Sequence, residues 1–233
     1  MKQVYKLNTK MLEDSENFCN FYEKLSAKRR QKIDGYRMEK DKLLSLGAGI
    51  LIDKGLETFG LREANVRIAE GTYGKPYFPD YPDIHFNVSH SEKMVIAVFA
   101  DVEVGCDIEY VDSVDLNLAE RFFCKPEYEF IMGHLEQERK EAFYRIWTIK
   151  ESFMKAVGSG MMLPLDKFCI KIGGNIQVEQ HYNNEEYGIE DWKEGEYRAA
   201  LCWNRGKRVR VQNAYMGLSP KQPPVSQEAV FSL

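Results

Sequence analysis

The sequence predicts an α+β protein in which helical and then strand-like patterning occurs twice. Three observations carry this. Apolar residues recur at helical spacing in two separate regions, 18–59 and 115–158. Each region is followed by short runs with strand-like composition. The 233 residues then divide into two stretches of roughly a hundred and a Pro-containing end. No internal repeat is strong enough to prove duplication.

Taken in order, Phe18, Phe21, Tyr22 and Leu25 fall at helical spacing, and Ser26 suits the N-cap of a second helix. Residues 41–59 carry a longer apolar stripe that Gly60 closes as a C-cap. NVRIAE at 65–70 alternates like a strand, and the Gly- and Pro-dense stretch at 71–83 reads as a loop. IHFNVSH, MVIAVFA and EVGCDIEYV follow as three strands. The helical period returns through RFFCKPEYEFIMGHL and EAFYRIWTIKESFMKAVG, where Gly158 ends it. KFCIKI, NIQVEQ, EYRAALCW and RVRVQN are the second set of strands. The expected division is 1–104, 105–216 and a loosely packed tail over 217–233.

Composition narrows the function classes. With 32 basic and 36 acidic residues the net charge is −4, so a dedicated nucleic-acid binder is not expected. The longest clean apolar run, Met94 to Ala100, is far below the ~20 residues of a spanning helix, and the N-terminus has no secretory pattern. Five cysteines with no CxxC pair read as free thiols in a reducing cytoplasm; Cys106 and Cys202 lie in apolar surroundings as small core residues. No histidine stands near a cysteine in sequence, which speaks against thiol catalysis. Charge is uneven: residues 28–42 hold seven basic and three acidic side chains, a local excess that suits a phosphate-bearing ligand or simply a solvated helix face.

Chemistry concentrates in three places. In Asp107-Ile108-Glu109 the two acids leave one face of a strand, a half-site for Mg²⁺ or an edge that merely meets water. Gly105 just before them permits close approach of a ligand or another backbone. Trp147, Glu151 and Lys155 share one helix face at i, i+4, i+8, which fits a phosphate-bearing ligand or an ordinary Glu–Lys pair. Phe143, Ile146, Trp147 and Met154 form the buried stripe of that helix. Ser89-His90-Ser91 offers hydroxyls and an imidazole to a phosphate, or is a polar hairpin turn; no GxSxG elbow accompanies it. Gly74-Lys75-Pro76 is a tight turn that fixes one lysine.

In order, GKP (74–76), FNVSHS (86–91), VGCDIE (104–109), RFFCKPE (121–127) and WTIKESFMKAVGSG (147–160) resemble the Sfp-type 4′-phosphopantetheinyl transferases, over roughly residues 20–172. The resemblance implies two similar α+β halves related by a pseudo-twofold axis, with the site at their junction. It implies transfer of the phosphopantetheine arm of coenzyme A to a serine of an acyl or peptidyl carrier protein, releasing adenosine 3′,5′-bisphosphate. By the same likeness Asp107, Glu109 and Glu151 hold Mg²⁺, and Glu151 or Glu127 takes the serine proton. Lys155 offsets pyrophosphate charge with Lys150 as a second contact, while Lys28, Lys32, Lys75, Ser89 and His90 bind the nucleotide phosphates together with Asp107 and Lys155. The departure is Leu44, where family members commonly carry arginine, with Lys40 or Lys42 as possible substitutes. A monomer is expected. The competing readings are a metal-dependent phosphodiesterase or nucleotidyl transferase and a non-catalytic carrier-binding module. Leu116, Phe122 and Phe123 are a docking patch or, as the favoured reading, core.

Overall fold

A computed structural model describes residues 2–206 and 229–230. The elements are β1 (Lys2–Asn8), α1 (Ser15–Tyr22), α2 (Ala27–Asp34), α3 (Glu39–Glu57), β2 (Ala69–Glu70), β3 (Pro76–Tyr77), β4 (His85–Ser91), β5 (Met94–Ala100) and β6 (Val104–Tyr110). They continue as α4 (Asn117–Phe122), α5 (Lys125–Met132), α6 (Glu136–Val157), β7 (Phe168–Lys171), β8 (Gln177–Gln180), β9 (Tyr187–Glu194), β10 (Tyr197–Asn204) and β11 (Ala229–Val230).

Two sheets form the centre, in the orders β11-β1-β5-β4 and β6-β10-β9. The same plan is used twice. A first strand is followed by helices and then by an antiparallel hairpin, whose last strand pairs with the first: β1 with β5, β6 with β10. Helix α3 covers the first sheet, packing Leu44, Leu51 and Leu56 against Leu7, Val95, Ala97 and Phe99. Helix α6 covers the second with Phe143, Ile146, Ile149 and Phe153. The sheets face each other across Ile96, Val98 and Ala100 of β5, Val104, Cys106 and Ile108 of β6, and Ala199 and Leu201 of β10. Strand β5 is thus buried on both faces, which is why it reads as an unbroken apolar run rather than an alternating one.

Most sequence-predicted elements are present, and the differences have local reasons. Ser26 caps α2, its hydroxyl accepting from Arg29 N–H. Gly158 ends α6 at φ 75°, a conformation that favours glycine. The strand expected at 65–70 shrinks to Ala69–Glu70, because Glu63–Asn65 coils into a 3₁₀ turn. Strands β1 and β9 were not foreseen. Strand β6, grouped by chain order with β4 and β5, belongs to the second sheet. RVRVQN at 208–213 and most of the expected tail lie outside the described residues. Ala229 and Val230 are the exception, since they pair in parallel with β1. No helix among the described residues is long and apolar enough to cross a membrane.

Two expectations need correction. Cys124 and Cys169 are joined as a disulfide, so only Cys19, Cys106 and Cys202 are free thiols; Cys106 and Cys202 are fully buried, in keeping with a core role. Of the three apolar residues near α4, Phe123 is core, stacked on Phe143, whereas Phe122 is 47% exposed. Phe122 is the last residue of α4, whereas Phe123 is its C-cap with an extended backbone (φ −94°, ψ 164°), so the chain turns there and the two rings part.

Candidate active site

The two halves meet where β4 runs beside β6 in the same direction. No backbone ladder joins them. Instead every second residue of β4 reaches across: Asn87 Oδ1 accepts from Cys106 N–H at 3.0 Å, Ser89 Oγ donates to Asp107 Oδ1 at 2.8 Å, and Ser91 Oγ donates to Glu109 Oε2 at 2.9 Å while accepting from Tyr110 N–H. The strand period of two makes this possible, since Phe86 and Val88 turn the other way into the α3 core.

Helix α6 closes the third side. Gly105 lets it approach: a Cβ there would lie 2.2 Å from Ser152 O and 2.3 Å from Ala156 N. The close approach foreseen at Gly105 is therefore made by the α6 backbone. It delivers Lys155 onto Asp107, with Nζ 2.6 Å from Oδ1 and 2.9 Å from Ser89 Oγ. Asp107 is 2% exposed, and its second oxygen, Oδ2, is buried without a hydrogen-bond partner. A buried carboxylate oxygen left without a donor is costly, and a ligand is one way to satisfy it.

Glu109 and Glu151 complete the cluster. Burial raises the Glu109 pKa, and the negative charges of Asp107 and Glu151 add to this against Ser91 and Lys155. Burial also raises Glu151, helped by Asp107 and opposed by Lys155. Lys155 itself is held above its ordinary value: burial pulls it down, but the charge and hydrogen bond of Asp107 outweigh that. Three acids against one lysine make a site that favours an added cation. The acids converge loosely, because the donor set lying wholly within 4.8 Å among the described residues is Cys124, Glu127 and Cys169. Three hard oxygen donors, one of them unsatisfied, nonetheless fit Mg²⁺, which keeps several of its waters and phosphate ligands.

Basic groups surround this centre. His90 follows Ser89 at the exposed edge of β4; loss of surrounding water lowers its pKa, as do the charges of Lys155 and Lys32, while Asp41 opposes them. Lys28 and Lys32 stand one turn apart on the exposed side of α2, and Lys28 Nζ reaches Ile68 O at 3.4 Å. Lys75 donates to Ala156 O at 2.8 Å, tying the 71–75 turn to the end of α6, and burial brings its pKa down to about 8. Lys75 also lines a cleft of about 320 Å³ with Tyr73, Phe78, Phe86, Glu103 and Gly158. Leu44 is buried in the α3 core, and the proposed substitutes are engaged elsewhere: Lys40 with Glu92 at 2.7 Å and Lys42 with Glu39 at 3.8 Å.

Glu127 and Lys150 are not brought to this cluster. Both are fully buried and pair with each other at 2.6 Å. Glu127 Oε1 also accepts from Ile170 N–H and Oε2 from Cys124 N–H, while Lys150 donates to Phe168 O. Lys150 is next to Glu151 in sequence but points to the other side of α6. Sequence reasoning gave Asn87 no role and offered the Ser91 hydroxyl to a phosphate, whereas both brace β6; their i, i+2, i+4 relation with Ser89 was visible in FNVSHS. It missed the clamp in which Asp191 accepts from Arg145 of α6 at 2.7 and 3.1 Å and from Arg198 of β10, since no local pattern marks it.

Comparison with known proteins agrees with this geometry. Residues 13–101 match a family model described as 4′-phosphopantetheinyl transferase, N-terminal, and residues 103–202 match the 4′-phosphopantetheinyl transferase superfamily. The chain is 34% identical over 194 residues to the 4′-phosphopantetheinyl transferase ffp of Bacillus subtilis, covering 82% of this chain and 85% of that one. It is 32% identical to the transferase Sfp of B. subtilis strain 168 over the same shares. With the transferase gsp of Aneurinibacillus migulanus, identity is 37% over 70% of this chain and 68% of the other. A doubled strand–helix–hairpin plan, a junction lined by acids and lysines, and likeness running through both halves lead to one conclusion: the chain belongs to the 4′-phosphopantetheinyl transferase family and is an enzyme of that kind.

Proposed function

We propose that the protein transfers the 4′-phosphopantetheine arm of coenzyme A to a serine hydroxyl of an acyl or peptidyl carrier protein, with Mg²⁺ held by Asp107, Glu109 and Glu151. The observation that carries this is the buried, unpartnered Oδ2 of Asp107, flanked by two acids of raised pKa. When bound, the ion supplies charge neutralisation at the pyrophosphate and fixes its orientation.

The chain's own residues do the rest by positioning and electrostatics. Lys155, anchored by Asp107 and Ser89, presents its charge to the pyrophosphate. Lys28, Lys32, Lys75 and His90 take the remaining phosphates of coenzyme A, and Lys75 lines the cleft beside the end of α6. The serine oxygen attacks the phosphorus that carries pantetheine. The P–O bond to adenosine 3′,5′-bisphosphate breaks, and its electron pair leaves with that product. Glu151, whose raised pKa brings it nearer neutrality, accepts the serine proton. Glu127 and Lys150 have no place in this scheme, because the buried pair has no free oxygen on Glu127 to offer. The working unit in this reading is a monomer acting in the cytoplasm, which is supported by β4, β6 and α6 of one chain supplying the three acids and Lys155.

The test is the intact mass of an apo carrier protein after incubation with enzyme, coenzyme A and Mg²⁺. A gain of one phosphopantetheine, abolished by EDTA, is the expected result. Coenzyme A hydrolysis without carrier modification would instead point to a phosphodiesterase.

A further inference from the structure

We propose that Cys124 and Cys169 are a reversible thiol–disulfide switch that sets the stability of the half carrying Glu151 and Lys155. The bond joins the N-cap of α5 to β7, 45 residues apart, and the loop it closes contains the whole of α6. Both cysteines are half-buried, within reach of a small thiol. Glu127 sits between them, accepting from the backbone N–H of Cys124 and of Ile170, the residue after Cys169. When the sulfurs separate, this node still holds α5, α6 and β7 together, so the reduced chain stays folded but loses the covalent closure of its longest helix.

The same residues form the tightest set of metal donors among those described. A metal is the weaker reading. Glu127 has both oxygens committed, and a divalent ion there would meet the Lys150 ammonium 2.6 Å from Oε1. Two paired sulfurs require neither rearrangement.

Reduction by a dithiol balances simply. One thiolate attacks Sγ of either cysteine, the S–S bond breaks and a mixed disulfide forms. The second thiol resolves it, leaving two protein thiols and an oxidised, cyclic dithiol. In a reducing compartment such a pair is a sensor rather than a permanent staple.

The experiment uses the full chain, equilibrated with either oxidised or reduced dithiothreitol and labelled natively with a maleimide. Oxidised protein should take one label, on exposed Cys19, because Cys106 and Cys202 are fully buried. Reduced protein should take three, the new ones mapping to Cys124 and Cys169, and should melt roughly 5–10 °C lower, somewhat below the full loop-closure expectation. The Cys124→Ser/Cys169→Ser double variant should melt like reduced protein and ignore dithiol, whereas Cys19→Ser should keep the response. Three labels after oxidation, or an unchanged melting temperature on reduction, would overturn the proposal. So would stoichiometric zinc bound through Cys124 and Cys169. None of these readouts depends on phosphopantetheine transfer.

Discussion

The two acid–lysine pairs anchored on α6 are alike in distance and opposite in surroundings. Asp107–Lys155 and Glu127–Lys150 both close at 2.6 Å. Around Glu127 every oxygen is met and both partners are fully buried. Around Asp107 one oxygen is left without a partner, two more acids crowd the site, and the Lys155 side chain is 30% exposed. A closed network of charges specifies packing; an open one is available for chemistry. Lys155 lies five positions after Lys150, a rotation of about 140° that puts them in different environments on one helix.

The contrast can be broken at either end. The largest effect expected is on stability, at the closed pair. Lys150→Met strands a buried carboxylate and should cost about 3–5 kcal/mol in urea unfolding, with much of it regained when Glu127→Gln is added. At the open pair the loss should fall on activity: Asp107→Ala should lower Mg²⁺-dependent transfer by roughly 100- to 1000-fold while leaving the circular dichroism spectrum unchanged. If the two variants exchange these phenotypes, the roles assigned to the pairs are reversed.

Gly105→Ala tests the approach that brings the open pair together. Its Cβ would collide with backbone rather than a flexible side chain, so about 1–3 kcal/mol of stability should be lost along with turnover.

The smallest effect concerns pH. Glu109 and Glu151 have raised pKa values in the folded state, so the folded chain binds protons more tightly than the unfolded one. Their contribution to stability is therefore present at low pH and lost as pH rises through the raised values. Glu109→Gln should raise the melting temperature by roughly 1–3 °C at neutral pH while weakening Mg²⁺-dependent transfer. The acid limb of the rate–pH profile should lie above the ordinary glutamate value of 4.5, activity rising as these acids ionise. A limb at or below that value would show that the cluster carries no such strain.

Much of this was legible in the chain itself. The period of two in VGCDIE and of 3.6 in WTIKESFMKAV places Asp107 with Glu109 on one strand face and Glu151 with Lys155 on one helix face. Strands β1 and β9 escape notice because each mixes charged residues with few apolar ones, so neither KQVYKLN nor YGIEDWKE shows a clean alternation. The disulfide escaped because 45 residues separate its cysteines and pairing is decided only where the chain brings them together.

The α+β class and the helices and strands bearing the acids and lysines are legible in the sequence, and its ordered motifs resemble the family to which comparison assigns the chain. Local periodicity and residue chemistry are properties of short stretches, readable without tertiary contacts. Only the folded molecule decided which acid pairs with which lysine, that β4 braces β6 through Asn87, Ser89 and Ser91, and that Glu127 and Lys150 are packed apart from the Asp107 cluster. Whether a charge is buried and satisfied or left open depends on every element packed around it, and no single stretch of sequence contains that information.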